Sequence, residues 1–131
     1  MTAMDLTYLF YQPKAVTTDA PSYLHGWASN NKEVVYVAQR GGSKIYDIYR
    51  KSIKGGQEVK LTDNKKLEHV DGCEYSPDGK YIYYNGSKAG GTMQLWRMKP
   101  DGSNKEQLTF DEYNDWFPHI SPDGKWIAFM F

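Results

Sequence analysis

The chain has 131 residues, in which 16 basic and 16 acidic side chains cancel, with three histidines and 15% aromatic residues. Balanced charge without a Lys/Arg-rich stripe argues against a nucleic-acid partner, and no apolar run approaches the roughly 18 residues of a membrane span. Cys73 is single, which excludes an internal disulfide.

The N-terminus, Met1 to Asp5, has neither the basic nor the long apolar region of a secretory signal. It reads as cytoplasmic as it stands, and as periplasmic if the natural start lies upstream. Leu6 to Tyr11 and Lys14 to Thr17 read as degenerate strands, because Val16-Thr17 sits where Leu61-Thr62 and Leu108-Thr109 sit in the two later repeats. From Leu24 to Thr62 come Glu33-Val34-Val35-Tyr36, the turn Arg40-Gly41-Gly42, then Asp47-Ile48-Tyr49-Arg50, Lys54-Gly55-Gly56 and Lys60-Leu61-Thr62. From Cys73 to Thr109 the same order returns as Tyr81-Ile82-Tyr83-Tyr84, Ala89-Gly90-Gly91, Gln94-Leu95-Trp96-Arg97, Pro100-Asp101-Gly102 and Gln107-Leu108-Thr109. Short β-branched and aromatic runs between turn residues are strands. His119-Ile120 and Trp126 to Phe131 open a third block, and there the sequence stops.

Ser76-Pro77-Asp78-Gly79-Lys80 recurs unchanged as Ser121-Pro122-Asp123-Gly124-Lys125, 45 residues on, which is about one propeller blade. Pro fixes φ at the second turn position, Asp bonds to the backbone two residues on, and Gly accepts positive φ. The first block has Ala28-Ser29-Asn30-Asn31-Lys32 there, and Asn is the non-Gly residue best suited to a left-handed position. The expected fold is therefore all-β, a propeller of four-stranded antiparallel blades in an incomplete ring. Residues 1–19 hold degenerate outer strands C and D, residues 24–62 and 73–109 are blades, and 119–131 are inner strands A and B of the next. Closed rings need about four to eight blades. Either the chain is a piece of a longer protein, or two copies pair head to tail as a homodimer and close a six-bladed ring.

His25, His69 and His119 all fall in the segments that lead from one blade's outer strand to the next blade's inner strand, and Asp71, Glu74, Asp115 and Trp116 share those segments. Glu74 and His119 each lie two residues before the Ser of the turn. In a propeller such segments descend along the central channel, which makes His25, Asp71, Glu74, Asp115, Trp116 and His119 the candidate binding residues. Three readings stay open: mutual satisfaction of inner-strand polar groups, a peptide or small polar ligand, and a Zn²⁺ or Mn²⁺ shell. No local His-x-x-x-His pair gives the metal spacing any specificity, so no metal or cofactor is assigned. Trp27, Tyr75, Trp116 and Phe117 flank the set as packing between blades. No Gly-x-Ser-x-Gly elbow or phosphate-binding Gly-Lys-Ser/Thr loop occurs, and no catalytic residue is assigned. Cys73 reads as buried packing.

The repeats resemble those of TolB-like β-propellers from about Ala20 to Phe131. The likeness is carried by Pro21-Ser22-Tyr23-Leu24-His25-Gly26-Trp27, by Asp71-Gly72-Cys73-Glu74-Tyr75 before the first Ser-Pro-Asp-Gly, and by Asp115-Trp116-Phe117-Pro118-His119 before the second. The resemblance implies a six-bladed propeller, of which about three blades' worth are present. It also implies a non-enzymatic scaffold that binds a protein or peptide partner at the channel mouth, of Tol-type or biopolymer-transport character. Residues 1–19 depart from the pattern, and nothing corresponds to the N-terminal α/β domain of full-length TolB proteins. Two other readings draw on related propellers. One is a metal-dependent enzyme acting on a polar saccharide, like the oligogalacturonate lyases; the other is the accessory propeller of a prolyl-oligopeptidase-type peptidase.

Overall fold

A computed structural model of the chain describes residues 14–65 and 68–131. Among these the backbone forms ten strands and no helix. The first sheet takes β1 (Ser22–Trp27), β2 (Glu33–Ala38), β3 (Asp47–Ser52) and β4 (Val59–Lys60) in sequence order, every neighbour antiparallel. The second repeats it with β5 (His69–Tyr75), β6 (Ile82–Ser87), β7 (Gln94–Met98) and β8 (Glu106–Gln107). A third pairs β9 (Trp116–Ile120) with β10 (Ile127–Met130). These are propeller blades, with two complete and one represented by its two inner strands. The expected strand at Leu6 to Tyr11 lies outside the described residues. Lys14 to Thr17 has no regular strand, and its Val16 packs on the outer face of the first blade.

Successive side chains of a strand point to opposite faces, so a strand sandwiched between two layers must be apolar throughout. That accounts for the unbroken run Val34-Val35-Tyr36-Val37-Ala38, all buried. Val34, Tyr36 and Ala38 meet Tyr49 and Val16 on one face. Val35 and Val37 face the second blade, where they share a core with Ile48, Ile82, Tyr84 and Met98.

The repeated Leu-Thr dipeptide closes each blade. Leu61 N–H donates to Ile48 O, and the Thr62 hydroxyl accepts from Ile48 N–H while donating to the buried Asp47 carboxylate at 2.6 Å. Leu108 and Thr109 make the matching backbone and hydroxyl bonds to Leu95. Two residues thus continue the sheet beyond the short β4 and β8. In the first blade a second tie is stronger. Arg40 donates to Glu58 through Nε at 2.6 Å and Nη2 at 2.8 Å, and to Pro21 O and Ser22 Oγ, while the Tyr36 hydroxyl donates to Glu58 at 2.7 Å.

The turn expectation holds in detail. Gly79 and Gly124 have φ of 70° and 71°, and Asn31 has 56°. Each closes its turn by donating its N–H three residues back, to Ser76, Ser121 and Ala28 respectively. Asp78 accepts from both the Ser76 hydroxyl and Lys80 N–H, and Asp123 does the same with Ser121 and Lys125. Those bonds, led by the serine hydroxyl, hold the Asp78 carboxyl down at about 2. Gly79→Val is expected to destabilise by about 1–3 kcal/mol, since it strains the backbone and its β-carbon would lie 2.6 Å from Ser29 Oγ. Asn31→Gly should be near neutral, because only its left-handed φ matters there. Urea denaturation of both variants would reject the shared turn geometry if Asn31→Gly cost more than Gly79→Val.

Candidate functional site at the inner strands

The inner strands β1, β5 and β9 pack side by side. Their approach is closest at Gly26, where a β-carbon would sit 2.7 Å from Cys73 O and 2.9 Å from Glu74 Cα. Each strand breaks its register at the same place, between Tyr23 and Gly26, between Asp71 and Cys73, and between Trp116 and His119. The residue at each bulge is left-handed: Leu24 at φ 49°, Gly72 at 37° and Phe117 at 52°. Bulges re-aim the side chains that follow, and two non-glycine residues in this region mark stored strain. At Phe117 the strained backbone is held from the neighbouring blade. Buried Asn85 of β6 accepts from Phe117 N–H at 3.1 Å, and a β-carbon on Gly72 would meet Asn85 Oδ1 and the Phe117 ring at 2.8 Å.

Beyond the bulges, His25, Glu74, Phe117, Pro118 and His119 line one shallow cleft. His119 Nδ1 lies 2.7 Å from Glu74 Oε2, joining two residues that hold the same place in successive repeats. The imidazole is largely exposed and the carboxylate half-buried, so the pair presents a polar edge beside an apolar floor. His25 enters from β1. Gly26, Glu74 and His119 are the three matching positions around the inner strands, and glycine at the first leaves room for the other two.

No family model matches the sequence. An uncharacterised protein of Agrobacterium fabrum is 42% identical over 118 residues, covering 90% of this chain and 39% of that protein. The structure of a TolB-assigned protein from Agrobacterium tumefaciens matches with a TM-score of 0.77 at 43% identity, over 87% of this chain and 39% of that one. The chain is a stretch of TolB-like β-propeller. TolB from Acinetobacter baumannii shares the fold at a TM-score of 0.66 and 24% identity, over 81% of this chain and 25% of its own. Dipeptidyl-peptidase 5 of Porphyromonas gingivalis is 39% identical over 71 residues, which is 49% of this chain and 10% of that enzyme. The TolB-like chain thus spans 39% of the length of the Agrobacterium fabrum relative and 10% of the peptidase.

Of the other candidates on the TolB-like scaffold, Asp71, Asp115 and Trp116 do not line the cleft. Asp71 is half-buried, and burial holds its carboxyl above the usual range against an opposing bond from Gly72 N–H. Burial also pushes the nearby Tyr23 phenol up to about 12, with the Asp71 charge adding to it. Asp115 is fully buried, and neither carboxylate oxygen has a partner among the described residues. Trp116 stacks at a tilt on Phe117, with ring centroids 6.2 Å apart. Cys73 is buried, its thiol pushed up by desolvation and directed to Leu24 O at 3.4 Å. His69 lines a different cleft, on the flank between the two complete blades. Among the described residues no three His, Cys, Asp or Glu side chains come together as a metal shell. Among them, too, no helix is long and apolar enough to cross a membrane.

Sequence reasoning found the Glu74 and His119 positions through the repeat. It missed the bulges, for which only Gly72 carried a signal. Leu24 and Phe117 have no preference for positive φ, and at Phe117 the tertiary contact with Asn85 favours it.

Proposed function

We propose that this TolB-like propeller is a non-catalytic scaffold that binds a protein or peptide partner of Tol type at its channel mouth. The observation that carries this reading is the exposed His119–Glu74 pair beside Phe117 and Pro118, on backbone held in place by the bulges. A polar edge next to an apolar floor suits a peptide, because the floor supplies contact area and the pair supplies orientation. Rigid backbone lowers the cost of ordering on binding. The identity to part of dipeptidyl-peptidase 5 favours a second reading, an accessory propeller that recognises peptide for a hydrolase domain. In both cases the propeller recognises and does not react.

His119→Ala and Glu74→Ala should each weaken capture of peptides from a random display library about tenfold, with melting temperatures within a few degrees of the parent. Such a loss corresponds to about 1.4 kcal/mol, in the range of a hydrogen bond to a charged group. Peptides retained equally by parent and both variants would place recognition elsewhere and sink the reading.

A further inference from the structure

The two complete blades align strand by strand, and beside the outermost strand an anion of the first is replaced by a cation in the second. Tyr36 pairs with Tyr49 and Arg50 with Val59 in the first sheet, as Tyr84 pairs with Trp96 and Arg97 with Glu106 in the second. Tyr36, Arg40, Tyr49 and Glu58 therefore correspond to Tyr84, Lys88, Trp96 and Lys105. Most of this quartet is repeated physically. Tyr36 stacks on Tyr49 with centroids 6.3 Å apart, and Tyr84 on Trp96 at 6.4 Å. The Arg40 guanidinium lies 5.5 Å over the Tyr49 ring, and the Lys88 ammonium lies 4.5 Å over Trp96. What differs is the anion. In the first blade Glu58 accepts from both Arg40 and Tyr36; in the second its place is held by a cation, Lys105.

Among the described residues no carboxylate pairs with Lys88 or Lys105, and the Lys105 ammonium donates to Gly102 O. Lys88, Lys105, Tyr84 and Trp96 line a cleft of about 270 Å³ between the blades. Asp63 and Glu68 line it as well, and both are engaged. Asp63 is bonded to Lys60 and Lys65, and Glu68 accepts from Lys65 N–H.

We infer that this cleft binds a carboxylate, which takes between Lys88 and Lys105 the role that Glu58 plays against Arg40. The Tyr84 hydroxyl is the counterpart of the Tyr36 donor. Aromatic support beneath Lys88 holds its charge in place while leaving its N–H groups free to donate. A carboxylate fits better than a phosphate, because Asp63 and Glu68 in the same cleft disfavour a second negative charge. The carboxylate comes from an acidic side chain of a peptide or from a small free acid.

The test uses the full chain with ¹³C at the lysine ε-carbons, titrated at constant ionic strength with acetyl-Ala-Glu-Ala-amide, acetyl-Ala-Gln-Ala-amide and acetate. Lys88 and Lys105 should shift saturably with the Glu peptide and with acetate but not with the Gln peptide, while Lys32 and Lys125 stay still. Lys105→Glu, which recreates the pair of the first blade, should fold and weaken the response at Lys88 at least tenfold. Lys105→Gln should weaken it less. A Glu peptide that binds more than threefold tighter than acetate assigns the site to peptides, and equal affinities assign it to free acids. Equal responses to Glu and Gln peptides, a common drift of all lysines, or unchanged binding in both variants would overturn the assignment.

Discussion

Arg40→Ala is expected to destabilise the protein by about 2–3 kcal/mol, below the range for a fully buried ion pair because both side chains keep some exposure. The side chain donates to Glu58, Pro21 and Ser22 at once, and it lies over both Tyr36 and Tyr49. Without it the Glu58 carboxylate keeps only the Tyr36 hydroxyl, and the segment entering β1 loses its link to the outer strand. The pH dependence has a definite sign. Arg40 above all, with Tyr36 adding to it, holds the Glu58 carboxyl down at about 2. Its ordinary unfolded value is about 4.3. A depressed carboxyl contributes stability that is fully present above the unfolded value and is lost as the pH falls through the folded one. The gap between parent and Arg40→Ala should therefore be widest at neutral pH and narrow between about pH 4 and pH 2. Urea denaturation at pH 7, 4 and 2.5 measures it, and a gap that does not change with pH would remove Glu58 from the explanation.

Gly26→Ala should cost about 2–3 kcal/mol, a large effect for one methyl group. Its β-carbon would approach Cys73 O and Glu74 Cα, which are backbone atoms of β5 that cannot rotate away. Relief requires β1 and β5 to part, and Glu74 moves with its strand. The variant should thus lower stability and also disturb the His119–Glu74 contact, visible as a changed imidazole environment by NMR. A loss below about 0.5 kcal/mol would mean that the two inner strands do not pack this closely.

These residues divide by what their neighbours in sequence can reveal. The Ser-Pro-Asp-Gly turns were legible because every bond in them is local: Ser76 to Asp78, Asp78 to Lys80, Gly79 back to Ser76. The Leu-Thr ends of the blades were legible as a repeated pair, although their partners lie on the adjacent strand. Glu74 and His119 were legible because equal positions in successive repeats lie at equal depth beside one another, and the distance between them follows from the architecture. Asp115 and Asp71 share the same segments, yet nothing in their local sequence distinguishes a buried carboxylate from one that faces a cleft. The left-handed backbone at Leu24 and Phe117 was hidden for a similar reason, since those residue types argue against it.

By itself, then, the sequence determined the strand order, the turn geometry, the four-strand repeat and the likeness to TolB propellers, because these rest on local backbone chemistry and on a period visible along the chain. Only the tertiary structure decided which polar side chains meet, where the inner strands bulge, and that Lys105 stands in the second blade where Glu58 neutralises Arg40 in the first. Those outcomes depend on atoms brought together from different blades. The free energy that selects them comes from packing and charge pairing across the interface, to which no single stretch of sequence holds both sides.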